Sequence, residues 1–344
     1  MRNVNVVVIG FGNVGRAFVK IVSLKKKMIA EKYGVNINIV AVGDSKGVAI
    51  KKEGFDEYEL LKMSELPRSS LHMFAPYGRQ EVDIKEVYKE TEPHIHVELT
   101  PANYLTGEPG YSNILFALRN NAHVVTANKA PLVLHYSEII NEARSRGLSV
   151  RFRATVMGGT PFLEMLSSMK SHDIERVEGI LNATTNYILT EMHENLVDFE
   201  QALKKAQAIG VAEADPTLDI EGFDAAAKLC IISHIIGKPI NMSSVYRESL
   251  SKVTLKDVLD AVRQGQVIKY IALLDTQNKV ASVKIVRLPK DNILAQVGGV
   301  LNAVRVKTDA TELFFVGKGG GRIETAHSVF DDVLSIVLEK VIGK

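Results

Sequence analysis

Among the 344 residues there is one cysteine, Cys230. A single cysteine excludes an intrachain disulfide framework. It sits in an apolar helical run and reads as packing rather than as a nucleophile. Net charge is nearly absent as well: 42 basic and 40 acidic side chains leave +2. That balance gives no reason to expect nucleic acid or an anionic membrane as a partner. No apolar run reaches membrane-spanning length and no signal-peptide pattern opens the chain, so the expectation is a cytoplasmic protein. Internal repeats and low-complexity segments are missing. His94 and His96 share a strand face, but no third ligand is spaced for a metal, and they read as half-buried strand histidines. What is present, 46% hydrophobic and 24% charged residues, is ordinary globular composition, enough for two or three domains and an enzyme-sized core.

The run Asn5 to Gly10 is continuously apolar, as in a strand buried on both faces. It ends in GFGNVG, residues 10–15, and a helical pattern follows with Ala17, Phe18, Ile21 and Val22 on one face. A G-x-G-x-x-G between strand and helix is a dinucleotide-binding signal. Gly10, Gly12 and Gly15 permit the tight turn, the approach of a pyrophosphate and helix-on-strand packing, while Phe11, Asn13 and Val14 complete the loop. The helix N-terminus then faces the anion. A second strand, Ile37 to Gly43, ends in Asp44, placed to take ribose hydroxyls and to repel a 2′-phosphate. Lys46, Lys51 and Lys52 lie close by, either as a solvated face or as acceptors of that phosphate. NAD is therefore favoured over NADP only by Asp44.

Gly54 to Glu90 is polar and is predicted as two helical pieces broken near Pro67. Further strands are predicted over His94 to Thr100, His123 to Thr126, Leu148 to Thr155 and Ile174 to Leu181. Thr100 and Lys129 fall just beyond strand carboxyl ends, where ligands of open α/β sheets gather. Thr160-Pro161 reads as a cap and a first helical residue. The segment Ala183 to Leu189 opens a helix whose hydroxyls and amide, Thr184 to Asn186, suit a carboxylate; capping by Thr184 or Thr185 explains them equally. Two alternating pairs, Gln266 to Leu274 with Val280 to Leu288 and Gly299 to Val306 with Leu313 to Val316, read as antiparallel strands with a face suited to a dimer.

The most unusual stretch is AEADPTLDIEGFDAAAKLC, residues 212–230. It carries Glu213, Asp215, Asp219, Glu221 and Asp224 ahead of a single lysine, Lys228. Asp224 and Lys228 are i and i+4 on a helix beginning near Phe223. Ala225 to Ala227 and Leu229 to Ile232 surround the lysine, so the helix is apolar all round and buried. A buried lysine needs partners or loses its proton. Such lysines serve either as structural ion pairs or in proton transfer.

Taken together, GFGNVG, VELT at 97–100, VVTANKAPL at 124–132, ATVMGGTPF at 154–162, GILNATTNYIL at 179–189, the acidic–lysine stretch, ILAQVGGVLNAV at 293–304 and GGGRIETA at 319–326 resemble homoserine dehydrogenase in its short form, in the family's order and over nearly the whole chain. The resemblance implies an α/β protein: a Rossmann-type dinucleotide-binding domain, 1–153 with 320–344, plus an α+β substrate and dimerisation domain with a mixed sheet, its catalytic region 154–240 and its dimer sheet 241–319. It implies reversible oxidation of L-homoserine to L-aspartate 4-semialdehyde with NAD or NADP, in threonine, methionine and isoleucine biosynthesis, by a homodimer. Lys228 matches the family's acid/base lysine, and Glu213 its homoserine-binding glutamate. Asp219 and Asp224 match acidic residues beside the substrate. Lys129 matches a lysine at the junction of cofactor and substrate, and Thr100 and Gly321 match cofactor contacts. The absence of a preceding kinase region and of a following ACT domain leads to no expectation of threonine feedback. Backbone carbonyls of Val156, Gly158 and Thr160 match positions that hold a sodium ion with a glutamate. Here that glutamate is replaced by Arg153, whose guanidinium repels a cation, so the ion is not expected.

Hydride transfer belongs to the cofactor, and the protein must move one proton. Lys228 paired with Asp224 or Asp219 is placed to carry it. Glu213 with a neighbouring aspartate suits the substrate ammonium. Two rivals remain at this stage. One is another Rossmann oxidoreductase acting on a small amino acid or aldehyde, although aspartate-semialdehyde dehydrogenase would need a reactive cysteine. The other is a non-catalytic NAD-binding sensor.

Overall fold

The computed structural model describes residues 2–343. It divides into two compact units, 1–155 with 321–344, and 156–320.

The first unit is built on a seven-stranded sheet. Its elements are β1 (Arg2–Ile9), α1 (Asn13–Tyr33), β2 (Val35–Asp44), β3 (Gly47–Ile50), α2 (Glu57–Glu65), β4 (Gly78–Gln80), α3 (Ile84–Thr91), β5 (Ile95–Glu98), α4 (Gly110–Arg119), β6 (His123–Thr126), α5 (Lys129–Ser145) and β7 (Val150–Arg151). The strand order is β4-β3-β2-β1-β5-β6-β7. β2, β1, β5, β6 and β7 run parallel. The order reverses between β1 and β5, which makes their carboxyl ends the ligand crevice of the sheet. Val4, Val6, Val7 and Val8 are fully buried, as a central parallel strand requires. The last helix, α12 (Arg322–Ile336), packs on α1, with Phe18 and Phe330 edge to face at 6.2 Å.

Three local expectations are corrected here. The polar segment after Gly54 is not simply two helices: it also contains β4, and the preceding β3 pairs antiparallel between β2 and β4. The cause is Asp44, whose Oδ1 accepts the backbone N–H groups of Lys46 and Gly47 at 2.8 and 3.1 Å and folds the chain back. The strand expected over Leu148 to Thr155 is only two residues, because Arg153–Thr155 turn into a 3₁₀ helix. His96 is wholly buried, whereas His94 is exposed and accepts the Asn5 N–H.

The second unit holds α6 (Phe162–Ser168), β8 (Ile174–Ile180), α7 (Ala183–Asn195), α8 (Phe199–Ala208), α9 (Thr217–Ile220), α10 (Phe223–Ile235), β9 (Tyr246–Arg247), α11 (Leu255–Arg263), β10 (Gln266–Asp275), β11 (Val280–Pro289), β12 (Leu301–Thr308) and β13 (Glu312–Lys318). Its sheet order is β13-β12-β8-β10-β11-β9, antiparallel except for β9 beside β11, hence mixed. α10 is the core helix of this unit. Every residue from Ala225 to Ser233 is buried, as its all-round apolar sequence demands. Thr160 does not cap α6, whose first turn has no side-chain cap. Asn182, not Thr184 or Thr185, caps α7 by accepting the Thr185 N–H at 2.9 Å.

Candidate active site

α10 begins after Gly222, held at φ +74° with no side-chain cap, and its first two turns place Asp224 and Lys228 on one face. Their Oδ2 and Nζ atoms are 2.7 Å apart. Lys228 is only 7% exposed. Its Nζ also donates to the carbonyl of Leu181, at the end of β8. Two of the three ammonium hydrogens are thus taken, and among the described residues the third has no partner. Asn182 Nδ2 donates to Asp219 Oδ1 at 2.6 Å and to Asp224 Oδ2 at 3.0 Å. One amide therefore bridges two carboxylates, and Asp224 passes the network on to Lys228. Burial, and then the neighbouring Asp224 charge, push the Asp219 carboxyl above its ordinary value of 3.8.

A carboxyl whose folded value is raised stabilises the fold most below its ordinary pKa, and that contribution is lost as pH rises through the raised value. Asp219→Asn is accordingly expected to gain stability relative to wild type between pH 4 and 7. Urea midpoints across that range measure it, and a flat difference would refute the shift.

In the first unit, Gly10 ends β1 at φ +105°, and a methyl group there would overlap the Leu99 carbonyl. A methyl on Gly15 would overlap the Gly10 carbonyl oxygen. Nothing lies within 4 Å of the position a Gly12 methyl would take. α1 begins without a side-chain cap or an acidic residue in its first turn, so its N-terminal N–H groups suit an anion. The residues present thus fit a dinucleotide pyrophosphate. Phe11 is buried beneath the Arg16 guanidinium, which also holds the carbonyls of Ser64, Leu66 and Pro67. That grip brings Arg68 to the glycine loop, where its Nη2 donates to Asn13 Oδ1 at 2.9 Å. Sequence reasoning missed Arg68, because 55 residues separate it from Asn13. Asp44 Oδ2 accepts the Leu71 N–H at 3.0 Å, so three of the roughly four acceptor sites of this carboxylate are used. Lys51 is bound to Glu59 at 2.6 Å. Thr100 follows β5, and half-buried Lys129 opens α5. Gly321, at φ +115°, precedes α12.

Residues 10–153 match the family profile described as homoserine dehydrogenase, NAD binding domain, and residues 161–334 match that described as homoserine dehydrogenase. A homoserine dehydrogenase from Methanocaldococcus jannaschii is 37% identical over 96% of this chain and 98% of its own length. The chain belongs to the homoserine dehydrogenase family. An NAD(+)-dependent homoserine dehydrogenase from Pseudomonas canavaninivorans is 32% identical over 98% of this chain and 97% of its own. The solved structure of a hyperthermophilic archaeal homoserine dehydrogenase mutant in complex with NADPH superposes with a TM-score of 0.84 at 29% identity, covering 98% of each chain.

Not every residue expected from homoserine dehydrogenases joins the hydrogen-bonded cluster. Glu213 is exposed, and no partner of its carboxylate is found among the described residues. Thr184, by contrast, does reach the cluster through a hydrogen bond with the Asp219 carboxylate, and its Oγ1 lies 3.2 Å from the Val211 carbonyl. Asn186 is not free for a carboxylate, contrary to expectation: its Nδ2 faces the carbonyls of Val297, Gly299 and Leu301, and its Oδ1 accepts from Lys269. At the positions matched to a sodium site, Arg153 stands where the resemblance would place a glutamate. Arg153 is ion-paired with Asp331 at 3.3 Å, and its N–H donates to Asp332. The Thr160 carbonyl already accepts the Phe162 N–H at 2.7 Å. No step is assigned to such an ion.

Cys230 is buried in α10, and burial pushes its thiol up to about 12. The native enzyme is expected to resist a thiol-specific disulfide reagent at pH 8 and to react once per chain in denaturant. Rapid native labelling would contradict the burial.

Proposed function

We propose that this chain interconverts L-homoserine and L-aspartate 4-semialdehyde with NAD or NADP, and that Lys228 carries the proton. The observation that carries this reading is the third hydrogen position, without a partner among the described residues, on a buried lysine whose other two are held by Asp224 and the Leu181 carbonyl. The coenzyme, when bound, supplies the hydride acceptor. In oxidation the carbinol C–H leaves as hydride and the hydroxyl proton passes to the lone pair of Lys228 Nζ in its neutral amine form, giving the C=O bond and the ammonium. In reduction the ammonium returns that proton to the carbonyl oxygen. Asp224, 2.7 Å away, stabilises the ammonium form. Asn182 keeps Asp219 and Asp224 apart and oriented. Glu213, exposed and unpaired among the described residues, anchors the substrate ammonium, with Thr184 at the adjacent helix start. Val14, Asn13, Thr100, Lys129 and Gly321 serve the coenzyme, with the glycines of the fingerprint. The first unit is then the coenzyme domain and the second the substrate domain.

Oxidation of L-homoserine with NAD and with NADP, run in parallel, tests the activity. A chain that binds NADH without turning over homoserine would favour the sensor instead. The same assay on Arg68→Ala tests coenzyme choice. Arg68 lies at the glycine loop beside Ser69, whose hydroxyl meets that of Ser45 at the end of β2 at 2.9 Å. Losing a charge-assisted contact to a 2′-phosphate would raise KM for NADP about 10-fold more than for NAD. Equal changes would remove Arg68 from the specificity set.

A homodimer is proposed through the second unit's sheet. Phe314 and Val316 of β13 and Leu301 of β12 expose apolar surface on it. Light scattering should return twice the chain mass. No helix among the described residues is long and apolar enough to cross a membrane, and a cytoplasmic enzyme is the reading we adopt.

A further inference from the structure

Glu98 is the last residue of β5, at the reversal of strand order, and its side chain is fully buried. No arginine or lysine pairs with it among the described residues. Donors surround it instead. Its Oε1 accepts both the backbone N–H of Thr100, at 2.7 Å, and the Thr100 hydroxyl. Its Oε2 accepts Asn113 Nδ2 at 2.9 Å and lies 3.5 Å from His96 Nε2. Behind it, the Tyr88 hydroxyl meets His96 Nδ1 at 3.0 Å. Burial and the Glu98 charge raise the Tyr88 phenol, so it keeps its proton beside the His96 ring.

This arrangement determines which way the Thr100 hydroxyl works. A carboxylate accepts and does not donate, so the single hydroxyl proton of Thr100 points inward. Asn128 comes from the other side, its Nδ2 donating to Thr100 Oγ1 at 3.2 Å. Its orientation is set because its Oδ1 accepts the Ala130 N–H and caps α5. Thr100 Oγ1 therefore has its proton committed and one lone pair left. It can accept a hydrogen bond from a ligand but cannot give one. The same carboxylate thereby links β5, Thr100 and the α5 terminus that carries Lys129.

We infer that Glu98 is a positioning residue: it makes Thr100 an obligate acceptor at the sheet's ligand-binding edge, selecting an N–H or O–H donor of the coenzyme there. This rests on the coenzyme site proposed above. Such a buried carboxylate is costly unless its lone pairs are used, and three hydrogen bonds, from the Thr100 N–H, the Thr100 hydroxyl and Asn113, meet it.

The test is binding of NADH and NADPH, followed by nicotinamide fluorescence, beside homoserine kinetics. Glu98→Met keeps the bulk and removes the acceptor, freeing the Thr100 proton to point outward. It should weaken coenzyme binding about 10-fold, with kcat at saturating coenzyme changing less than KM. Glu98→Gln should restore binding to within about 3-fold, because its Oε1 still accepts from Thr100 while the Asn113 amide can turn to match. In a Thr100→Val background, Glu98→Met should have no further effect on affinity. If Glu98→Met does not fold, Thr100→Val alone supplies the comparison: loss of the acceptor oxygen should weaken coenzyme binding about 10-fold, and unchanged affinity would overturn the inference. Unchanged affinity in Glu98→Met, or an equal loss with and without the Thr100 hydroxyl, would overturn the inference. A wild-type chain that binds NADH without oxidising homoserine would instead overturn the reaction and leave Glu98 to be judged on affinity alone.

Discussion

Lys228→Ala is expected to lower kcat by about 10²–10⁴-fold, the range of general acid–base catalysis, while coenzyme affinity stays within about 3-fold of wild type. The separation follows from location. Among the described residues Lys228 bonds within the second unit, to Asp224 and the Leu181 carbonyl, whereas the glycine loop and Asp44 belong to the first. Truncation also leaves Asp224 and Asp219 facing one another across the Asn182 amide with no cation. Two partly buried carboxylates then favour a shared proton, so some stability is lost as well. Melting curves must therefore accompany the kinetics. Lys228→Met, which keeps the aliphatic volume, separates packing from chemistry: it should be as inactive as the alanine variant yet melt higher. Turnover close to wild type in either variant would sink the assignment of the proton carrier. Asp224→Asn should fall between, since the amide still orients Lys228 but no longer balances its charge.

The second large effect is expected at Gly10. Gly10→Ala should destabilise the enzyme by about 2–5 kcal/mol and eliminate coenzyme binding. The residue sits at φ +105°, which L side chains rarely adopt, and the added carbon would overlap the carbonyl of Leu99. Relief requires β1 and the end of β5 to separate, at the edge where the dinucleotide is expected. Gly12→Ala is the informative control. Its backbone, at φ −81°, accepts alanine, and nothing occupies the space the methyl would enter. It should fold with stability within about 1 kcal/mol of wild type and still bind coenzyme poorly, because the methyl fills the approach to the helix N-terminus. Urea denaturation and NADH titration of the two variants measure both quantities. If Gly12→Ala also unfolds, the space is not reserved for a ligand.

The parts of this molecule legible in its sequence are those set by neighbours along the chain. The buried parallel strand before GFGNVG is visible because a strand covered on both faces must be continuously apolar. The Asp224–Lys228 pair is visible because helical spacing brings i and i+4 together, and the surrounding alanines and isoleucines announce that the helix is buried. The antiparallel strands β10 and β11 are visible from their alternation. The short strands β3 and β4 were not: three or four residues carry too little periodicity, and an aspartate turn created the pairing. Only the tertiary structure decided how the polar side chains are spent. Asn182 reaches Asp219 and Asp224 across 37 and 42 residues, Arg68 meets Asn13 across 55, and Asn186 turns away to the carbonyls of residues 297–301. A hydrogen bond needs two groups within about 3 Å, and no local pattern encodes which distant group arrives. The single cysteine and the acidic–lysine stretch thus indicated what kind of chemistry was available; the packing of β8, α7 and α10 determined that one amide, two carboxylates and one lysine share it.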